Sequence, residues 1–187
     1  GTAGIIGCAV GASFAVLIAE QLFASGCKLL VSVTSAGQLA ELGPTPYFVL
    51  IDRALRDEGT SYHYLPPSVF SEAPDPSLIA RVQRALAVRK DIVVHCGASW
   101  TTDAPYRETQ SAIEAAQACG ALAVEMESAA LYAFGTATGH PVLCLAYVTN
   151  TMAQSEGDFE KGESEGAALA LKVIATAASA WKAGPGT

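Results

Sequence analysis

The sequence predicts an α/β fold with a mainly parallel or mixed central sheet flanked by helices. Apolar, strand-like runs alternate with helical segments along all 187 residues, and that alternation is typical of α/β domains. Most of the strand-like runs are apolar at every position, as expected for strands that are covered on both faces. Because no internal repeat or linker-like stretch interrupts this order, we expect residues 1–187 to form a single domain.

The first half of the chain begins with an apolar run that we predict to be a buried strand, followed by a glycine turn and a helix. Apolar residues recur at helical spacing from Ala12 to Phe23, and Gly26 is a suitable helix end. The predicted elements are a strand over 3–10, a helix over 12–25, strands over 28–33 and 46–52, and an extended loop over 53–76 with room for a short strand.

The second half continues the alternation and begins with the clearest amphipathic helix of the sequence, for which Ser77 is the predicted N-cap. Glycines follow two of the later helical segments and mark their ends. The predicted elements are helices over 77–89, 109–119, 127–138 and 163–182, strands over 91–97, 121–124 and 141–149, and a polar and aromatic loop over 98–108.

Composition excludes several classes of protein. Hydrophobic residues make up 51% and charged residues 16% of the chain, which excludes a disordered protein. The formal net charge is −7, the opposite of what a protein that binds nucleic acid or an anionic membrane usually carries. The apolar N-terminal residues have no basic region before them and are interrupted by glycines, so we predict neither a signal peptide nor a membrane span.

The cysteines and histidines indicate a reducing environment and no metal site. The five cysteines are odd in number, lack a CxxC spacing and lie in apolar neighbourhoods, so we expect reduced, buried thiols and a cytoplasmic protein. The three histidines are scattered and form no metal-ligand pattern.

Polar residues collect where predicted strands end, which is where α/β sheets bind ligands. The segments concerned are 34–37, 99–107, 125–128 and 149–152. In the third of them, Glu125, Met126 and Glu127 lie between a strand and a helix. A carboxylate there can accept hydrogen bonds from two vicinal hydroxyls, and a thioether offers an apolar platform. The alternative interpretation is an acidic first turn that complements the dipole of the following helix.

Two other strand ends offer groups for an anion and for a base. The small residues from Ser32 to Gly37 form a turn that is suited to an anion nest, or one that only connects two elements. Asn150 presents both a donor and an acceptor and is suited to a purine edge, although Asn also commonly closes a strand.

The loop over 98–108 is the candidate for binding a planar base. Trp100 and Tyr106 supply aromatic surface, and Arg107 supplies donors for a base edge. The alternative interpretation is an ordinary loop whose aromatic rings cover the core.

These segments together resemble the nucleoside phosphorylase superfamily, which includes uridine phosphorylases, hexameric purine nucleoside phosphorylases and methylthioadenosine nucleosidases. The resemblance is carried by VEMESAALYAFG, by TSAG and by ALRDEGTSYHYLPP, and it extends from about Gly4 to the C-terminal helix. It implies a nucleoside phosphorylase that cleaves a ribonucleoside with phosphate to free base and ribose 1-phosphate. It also implies inorganic phosphate as co-substrate, no other cofactor, and a homo-oligomer, either a dimer or a hexamer.

The resemblance also implies roles for individual residues. Glu127 would bind the ribose hydroxyls, Met126 would pack on the sugar, and Glu125 would flank the same site. Ser35 lies at the phosphate-binding position and Asn150 at the position of a catalytic acid. The expected base-binding residues are Trp100, Pro105, Tyr106, Arg107 and Asn150.

Three departures from the family pattern keep two alternatives open. Ser32 stands where the family usually has an arginine, and Asn150 stands where bacterial purine enzymes have an aspartate. The chain also begins later than family members usually do, so we expect the N-terminal phosphate-binding elements to be missing. The alternatives are a hydrolytic nucleosidase and a catalytically weakened nucleoside-binding homologue.

Overall fold

The computed structural model describes residues 2–151 and 164–184. The helices in these ranges are α1 (Ala12–Ala24), α2 (Pro76–Ala87), α3 (Gln110–Ala118), α4 (Ser128–Thr138) and α5 (Ser164–Lys182). The strands are β1 (Leu30–Gln38), β2 (Tyr47–Asp57), β3 (Phe70–Glu72), β4 (Val94–Thr102), β5 (Ala121–Glu125) and β6 (Val142–Thr151). Short 3-10 helices span Thr60–His63 and Pro105–Arg107.

The strands form one mixed sheet, which confirms the predicted α/β fold. The order is β3-β2-β4-β5-β1-β6, and β6 also pairs with β2. Five of the strands therefore close into a ring, with β3 attached to the outside of β2. Strands β2, β4 and β5 run parallel to one another, whereas β1 and β6 run the opposite way.

The junction between β1 and β5 positions the candidate site. These antiparallel strands pair only at Gly37 with Val124 and at Gln38 with Ala123. The pair of Gly37 with Val124 lies near the carboxyl ends of both strands. The carboxyl end of β1 therefore meets that of β5 although the two strands run in opposite directions. A purely parallel sheet is not needed to bring these ends together.

The helices complete the core around this ring. Helix α1 packs against α4, α2 packs against α5, and α4 lies on β2 and β3. Every residue from Ser128 to Gly135 in α4 is buried. The Tyr132 hydroxyl at its centre donates to the carbonyl of Ile51 and accepts from the backbone N–H of Cys144. Helix α4 is therefore held by the backbones of two strands as well as by apolar contacts.

The predicted N-terminal strand over 3–10 is wrong. Residues 2–10, all of which are described, adopt no regular secondary structure. The side chains of Ile5, Ile6 and Val10 are 79%, 53% and 65% exposed. An apolar run becomes a strand only where a neighbouring strand supplies hydrogen bonds, and the described strands pair with one another instead.

Three segments predicted as turns or loops are continuations of strands. Residues 53–57, predicted as the start of an extended loop, belong to β2. The small-residue segment over 34–37 belongs to β1, because its backbone pairs with β6 as far as Gln38, with an irregularity after Ala36. Residues 98–102, predicted as the start of a loop, belong to β4, which pairs with β2 and β5 over this stretch. Small and polar residues favour turns locally, but pairing with two neighbours extends these strands.

The predicted N-cap of the amphipathic helix is two residues away from the observed one. Asp75, not Ser77, is the N-cap of α2, and its Oδ1 accepts from the backbone N–H groups of Ser77 and Leu78 at 2.9 and 3.0 Å. Pro76 occupies the first turn, where its missing N–H leaves no donor unpaired. Asp75 and Pro76 together are the stronger start signal.

The five cysteines all lie in the described part of the chain and are free thiols, as predicted. The prediction that they are buried holds for Cys144 and is wrong for Cys8 and Cys119, which are exposed. Cys119 follows the last turn of α3, and Cys8 lies in the irregular N-terminal segment. Apolar neighbours in sequence do not bury a residue at the end of a helix.

None of the described helices has both the length and the apolar character that a membrane span requires.

Replacing Gly135 by alanine should destabilise the fold, because α4 is packed closely at this point. An added Cβ would lie 2.7 Å from Pro74 Cγ and 3.0 Å from the His140 carbonyl oxygen. Overpacking of this kind typically costs about 1–3 kcal/mol, measurable by urea denaturation. Gly4→Ala is the control, since its Cβ would meet nothing within 4 Å. Equal stability of the two variants would contradict the packing at Gly135.

Replacing Asp75 by alanine should cost about 1 kcal/mol at neutral pH, because α2 loses its N-cap. Burial raises the pKa of Asp75, but hydrogen bonds from Ser77 and Leu78 outweigh this and hold the pKa below its usual range. A carboxyl with a lowered pKa stabilises the fold above its unfolded-state pKa, and this contribution disappears as the pH falls through the folded-state pKa.

The measurement for Asp75 is urea denaturation of wild type and variant at pH 7 and at pH 3. The difference in unfolding free energy should shrink at the lower pH. Asp75→Asn keeps an N-cap acceptor and should lose less than Asp75→Ala at pH 7. A difference that stays the same at both pH values would refute the role of the charge.

Candidate functional site

The side chain of Glu127 is held between the starts of two helices and the end of a strand. Its Oε1 accepts from the backbone N–H of Gly11 at 2.7 Å, and its Oε2 accepts from the Thr34 hydroxyl at 2.6 Å. The backbone N–H of Met126 donates to the same Oε2 at 3.3 Å. Glu127 is only 3% exposed, so its carboxylate is oriented by protein donors before any ligand arrives.

Gly11 makes the contact from α1 possible. It is the N-cap of α1 and has φ of 90°, which residues with a side chain rarely adopt. That conformation directs its N–H at Glu127 from the positive end of the helix dipole, where a carboxylate is stabilised. The segment that begins α1 is thereby tied to the segment that begins α4, 116 residues later.

The side chains of Thr34 and Ser35 project from opposite faces of β1. Successive side chains of a strand point to opposite faces. The Thr34 hydroxyl reaches Glu127, whereas Ser35, the predicted phosphate-binding residue, is exposed and pairs with Tyr147 of β6 through its backbone. The Thr34 hydroxyl has a second acceptor in reach, the Ser35 carbonyl oxygen at 3.4 Å.

Glu125 and Glu127 do not share one environment. The carboxylate of Glu125 is turned toward β4 and the start of α4, whereas that of Glu127 is turned toward β1 and Gly11. Burial, followed by the nearby charge of Glu127, raises the pKa of Glu125 above its usual value. The alternative interpretation, an acid that complements the start of a helix, therefore describes Glu125. The side chain of Glu127, the N-cap residue of α4, makes no capping hydrogen bond to the start of that helix.

Trp100 lies in the core, as the alternative interpretation of its segment has it. It is 3% exposed and packs with Leu39 and Val124 in a cluster beside α3. Its indole N–H donates to Asp57 Oδ2 at 3.0 Å. Trp100 is therefore part of β4 and not of a loop, and this buried position does not favour the predicted stacking on a base.

The remaining base-binding candidates lie on the surface after β4. Pro105, Tyr106 and Arg107 form the second 3-10 helix, and all three are exposed, Tyr106 completely. Met126 is partly exposed beside Glu127. Asn150 pairs with Gly37 through its backbone, but its side chain lies outside the described part of the chain.

The segment that follows β2 is organised by a buried arginine. Arg56 is 6% exposed and donates to the Ser61 and Ser68 hydroxyls, both at 2.8 Å, and to the carbonyls of Leu65 and Pro66. Its guanidinium also lies 4.2 Å from the centre of the Tyr62 ring. Arg56 therefore holds the ALRDEGTSYHYLPP segment together.

An open surface cavity of about 330 Å³ adjoins this segment. Its lining residues are Arg56, Asp57, Glu58, Gly59, Tyr62 and Asp103. None of the residues predicted to bind ligand lines it. The carboxylates of Glu58 and Asp103 accept backbone N–H groups at 2.6 and 2.9 Å, so they order the surrounding loops. Among the described residues, no group of three or more histidine, cysteine or acidic side chains is arranged to hold a metal ion.

The fold and this site define an α/β protein with a buried, pre-oriented carboxylate at the carboxyl ends of its strands. The family model for the phosphorylase superfamily matches residues 1–179. The chain therefore belongs to the phosphorylase superfamily, as the resemblance of its motifs predicts. A comparison with curated proteins found no match.

Sequence reasoning missed the residues that hold the two glutamates in place. Gly11 and Thr34 orient Glu127, and Ser99 and Thr101 contact Glu125. A signal existed for the second pair, because Ser99 and Thr101 are two residues apart and share one face of a strand. For Gly11 the signal was a glycine directly before a helix, which by itself does not name a distant partner.

Replacing Thr34 by valine should destabilise the protein by about 1.5–3 kcal/mol, the usual worth of a hydrogen bond to a charged group. Valine keeps the shape and the β-branching but cannot donate to Glu127. Thermal or urea unfolding would measure the loss, and Thr34→Ser, which keeps the hydroxyl, should lose clearly less. A Thr34→Ser variant as unstable as Thr34→Val would show that packing and not the hydrogen bond matters here.

Proposed function

We propose that this chain is a nucleoside phosphorylase that cleaves the N-glycosidic bond of a ribonucleoside with inorganic phosphate. The products are the free base and ribose 1-phosphate. The observation that carries the proposal is the Glu127 carboxylate, held at 2.7 and 2.6 Å by Gly11 and Thr34 in a chain of the phosphorylase superfamily.

Glu127 is suited to bind the hydroxyls of the ribose. A carboxylate accepts about four hydrogen bonds, and protein groups supply three of them here. Rotation of the Thr34 hydroxyl to the Ser35 carbonyl would release a further acceptor position. Two vicinal hydroxyls can then be bound without moving the carboxylate. Met126, which is partly exposed next to Glu127, would pack against the sugar ring.

The other roles follow from the chemistry of the reaction. The glycosidic bond breaks through an oxocarbenium-like state while negative charge moves onto the base. Catalysis therefore requires a positioned sugar, a nucleophile below the anomeric carbon and donors at the leaving base. We assign the leaving base to Asn150 and the nucleophilic phosphate to the Ser35 segment of β1, where the Ser35 side chain projects from the face opposite to Thr34. Tyr106 and Arg107, with Pro105, would cover and read the base.

A hydrolytic nucleosidase is the second candidate, and one observation favours it. Strand β1, which carries Ser32 and Ser35, has no basic residue, so it supplies no cation to a phosphate dianion. Water needs no such cation.

The proposed assembly, a dimer or a hexamer, is supported by exposed apolar side chains near the start of the chain, namely Ile5, Ile6, Val10, Phe14 and Leu17.

The experiment that tests the proposal is base release from a panel of purine and pyrimidine ribonucleosides, with and without phosphate. Release that requires phosphate and yields ribose 1-phosphate is the expected result. Release without phosphate, with label from ¹⁸O-water in the ribose, would favour the nucleosidase. Binding without release would favour a nucleoside-binding homologue, and neither binding nor release would refute the proposal.

Glu127→Gln should reduce kcat/KM by about 10- to 100-fold, because a hydrogen bond to a charged acceptor is worth about 1.5–3 kcal/mol. The control is Glu72→Gln, the same chemical change at an exposed residue of β3. Steady-state kinetics of both variants, corrected for folded protein, decide the matter. Unchanged kinetics of Glu127→Gln would remove Glu127 from the site.

A further inference from the structure

We propose that Glu125 is a positioning residue that touches no part of the nucleoside and affects ribose binding only through Glu127. This inference rests on the proposed function of Glu127 as the ribose-binding carboxylate. It assigns different tasks to two acids that stand two residues apart in the sequence.

The surroundings of Glu125 support this role. Its Oε1 accepts from the hydroxyls of Ser99, at 3.0 Å, and of Thr101. Its Oε2 accepts from the backbone N–H groups of Glu127 and Ser128, at 2.8 and 2.7 Å, and from the Ser128 hydroxyl at 2.8 Å. All three side chains that contact it are fully buried.

These five hydrogen bonds leave no acceptor position for a ligand. A carboxylate offers about four lone-pair sites, and five protein donors already share those of Glu125. Exposure does not distinguish the two acids, because Glu125 and Glu127 are both 3% exposed. A ribose hydroxyl could reach Glu125 only by displacing buried donors, each of which would then be left unpaired. Glu127, by contrast, has one donor that can turn away to a second acceptor.

The same bonds connect Glu125 to the backbone of Glu127. Glu125 closes β5, and the N–H of Glu127 is one of its donors. The Thr101 hydroxyl, which donates to Glu125, also accepts from the backbone N–H of Ala129 at 3.0 Å. The backbone N–H groups of Glu127, Ser128 and Ala129 are thus bound by Glu125 and Thr101, which holds the start of α4 against β4. A small displacement of that segment would move the Glu127 carboxylate, and binding geometry tolerates only about 0.5 Å.

The experiment compares the affinity for a ribonucleoside with that for its 2′,3′-dideoxy analogue, by calorimetry on the full chain. Glu125→Gln keeps the size of the side chain, but its amide nitrogen cannot accept from the hydroxyls of Ser99 and Thr101. We expect it to weaken ribonucleoside binding about tenfold, which lies within the range of coupling energies between residues of one hydrogen-bond network. Binding of the dideoxy analogue should stay unchanged.

A double-mutant cycle separates positioning from direct contact. If Glu125 acts only through Glu127, the double variant Glu125→Gln/Glu127→Gln should bind no more weakly than Glu127→Gln alone. Losses that multiply would show an independent contact of Glu125 with the ligand and would overturn the inference. Equal losses for the ribonucleoside and the dideoxy analogue would also overturn it, because they indicate a general structural effect.

Two further variants keep the outcome decisive. Ser99→Ala removes one donor to Glu125 from the β4 side and leaves the bonds to α4 intact, so it serves if Glu125→Gln does not fold. It should show a smaller loss of affinity that is confined to the ribonucleoside. A loss of affinity shared by both ligands would contradict the positioning role of Glu125. Gly135→Ala, which strains α4 elsewhere, should show no loss that depends on the hydroxyls.

The failure of this inference can be told apart from the failure of the proposed function. If Glu127→Gln weakens the ribonucleoside selectively and Glu125→Gln does not, the function stands and the positioning role is wrong. If Glu127→Gln itself makes no distinction between the two ligands, the ribose-binding role proposed for Glu127 is wrong, and the positioning role of Glu125 is wrong with it.

Discussion

The buried carboxylate of Glu125 is the point at which strand β4, strand β5 and helix α4 are joined. Five donors surround it, and two of them are backbone N–H groups at the start of α4. Those groups would otherwise be unpaired in the interior, since a helix leaves its first N–H groups without partners. An unpaired buried donor costs about 1–3 kcal/mol. The strand-to-helix connection is therefore defined by hydrogen bonding, and the location of Glu127 follows from it.

Helix α4 depends on this connection because it is completely buried over its first two turns. Its small residues bring it close to the sheet, and Gly135 packs against Pro74 with no room for a side chain. A helix in such a place cannot shift without opening the core. The Glu127 carboxylate is consequently attached to a closely packed, buried helix, which suits the ligand-binding role proposed for it, because such a role requires a fixed orientation.

The closed ring of strands explains how residues from distant parts of the chain reach Glu127. Strand β1 runs opposite to β5, yet the two meet at their carboxyl ends through Gly37 and Val124. Thr34 approaches from β1, and Gly11 approaches from the start of α1, which packs on α4. Two groups of strands that run in opposite directions thus bring carboxyl strand ends together, as a parallel sheet does.

The sequence by itself predicted the α/β class, most of the helices and strands, the family, and the segment that carries Glu125 and Glu127. These features are recorded in local periodicity and in a contiguous motif, which a single chain displays directly. Where β1, β2 and β4 end was mispredicted, because strand length depends on neighbours that the local sequence does not show. The apolar N-terminal run was mispredicted for the same reason.

Only the tertiary structure decided which of two similar residues does what. Glu125 and Glu127 have the same chemistry and nearly the same position, but one faces Ser99 and Thr101 and the other faces Thr34 and Gly11. Thr34 and Ser35 are distinguished only by the face of β1 from which each projects. Trp100 is a core residue because β4 continues past it. In each case the deciding contact comes from residues far away in sequence, and contacts of this kind are set by the packing of the whole fold.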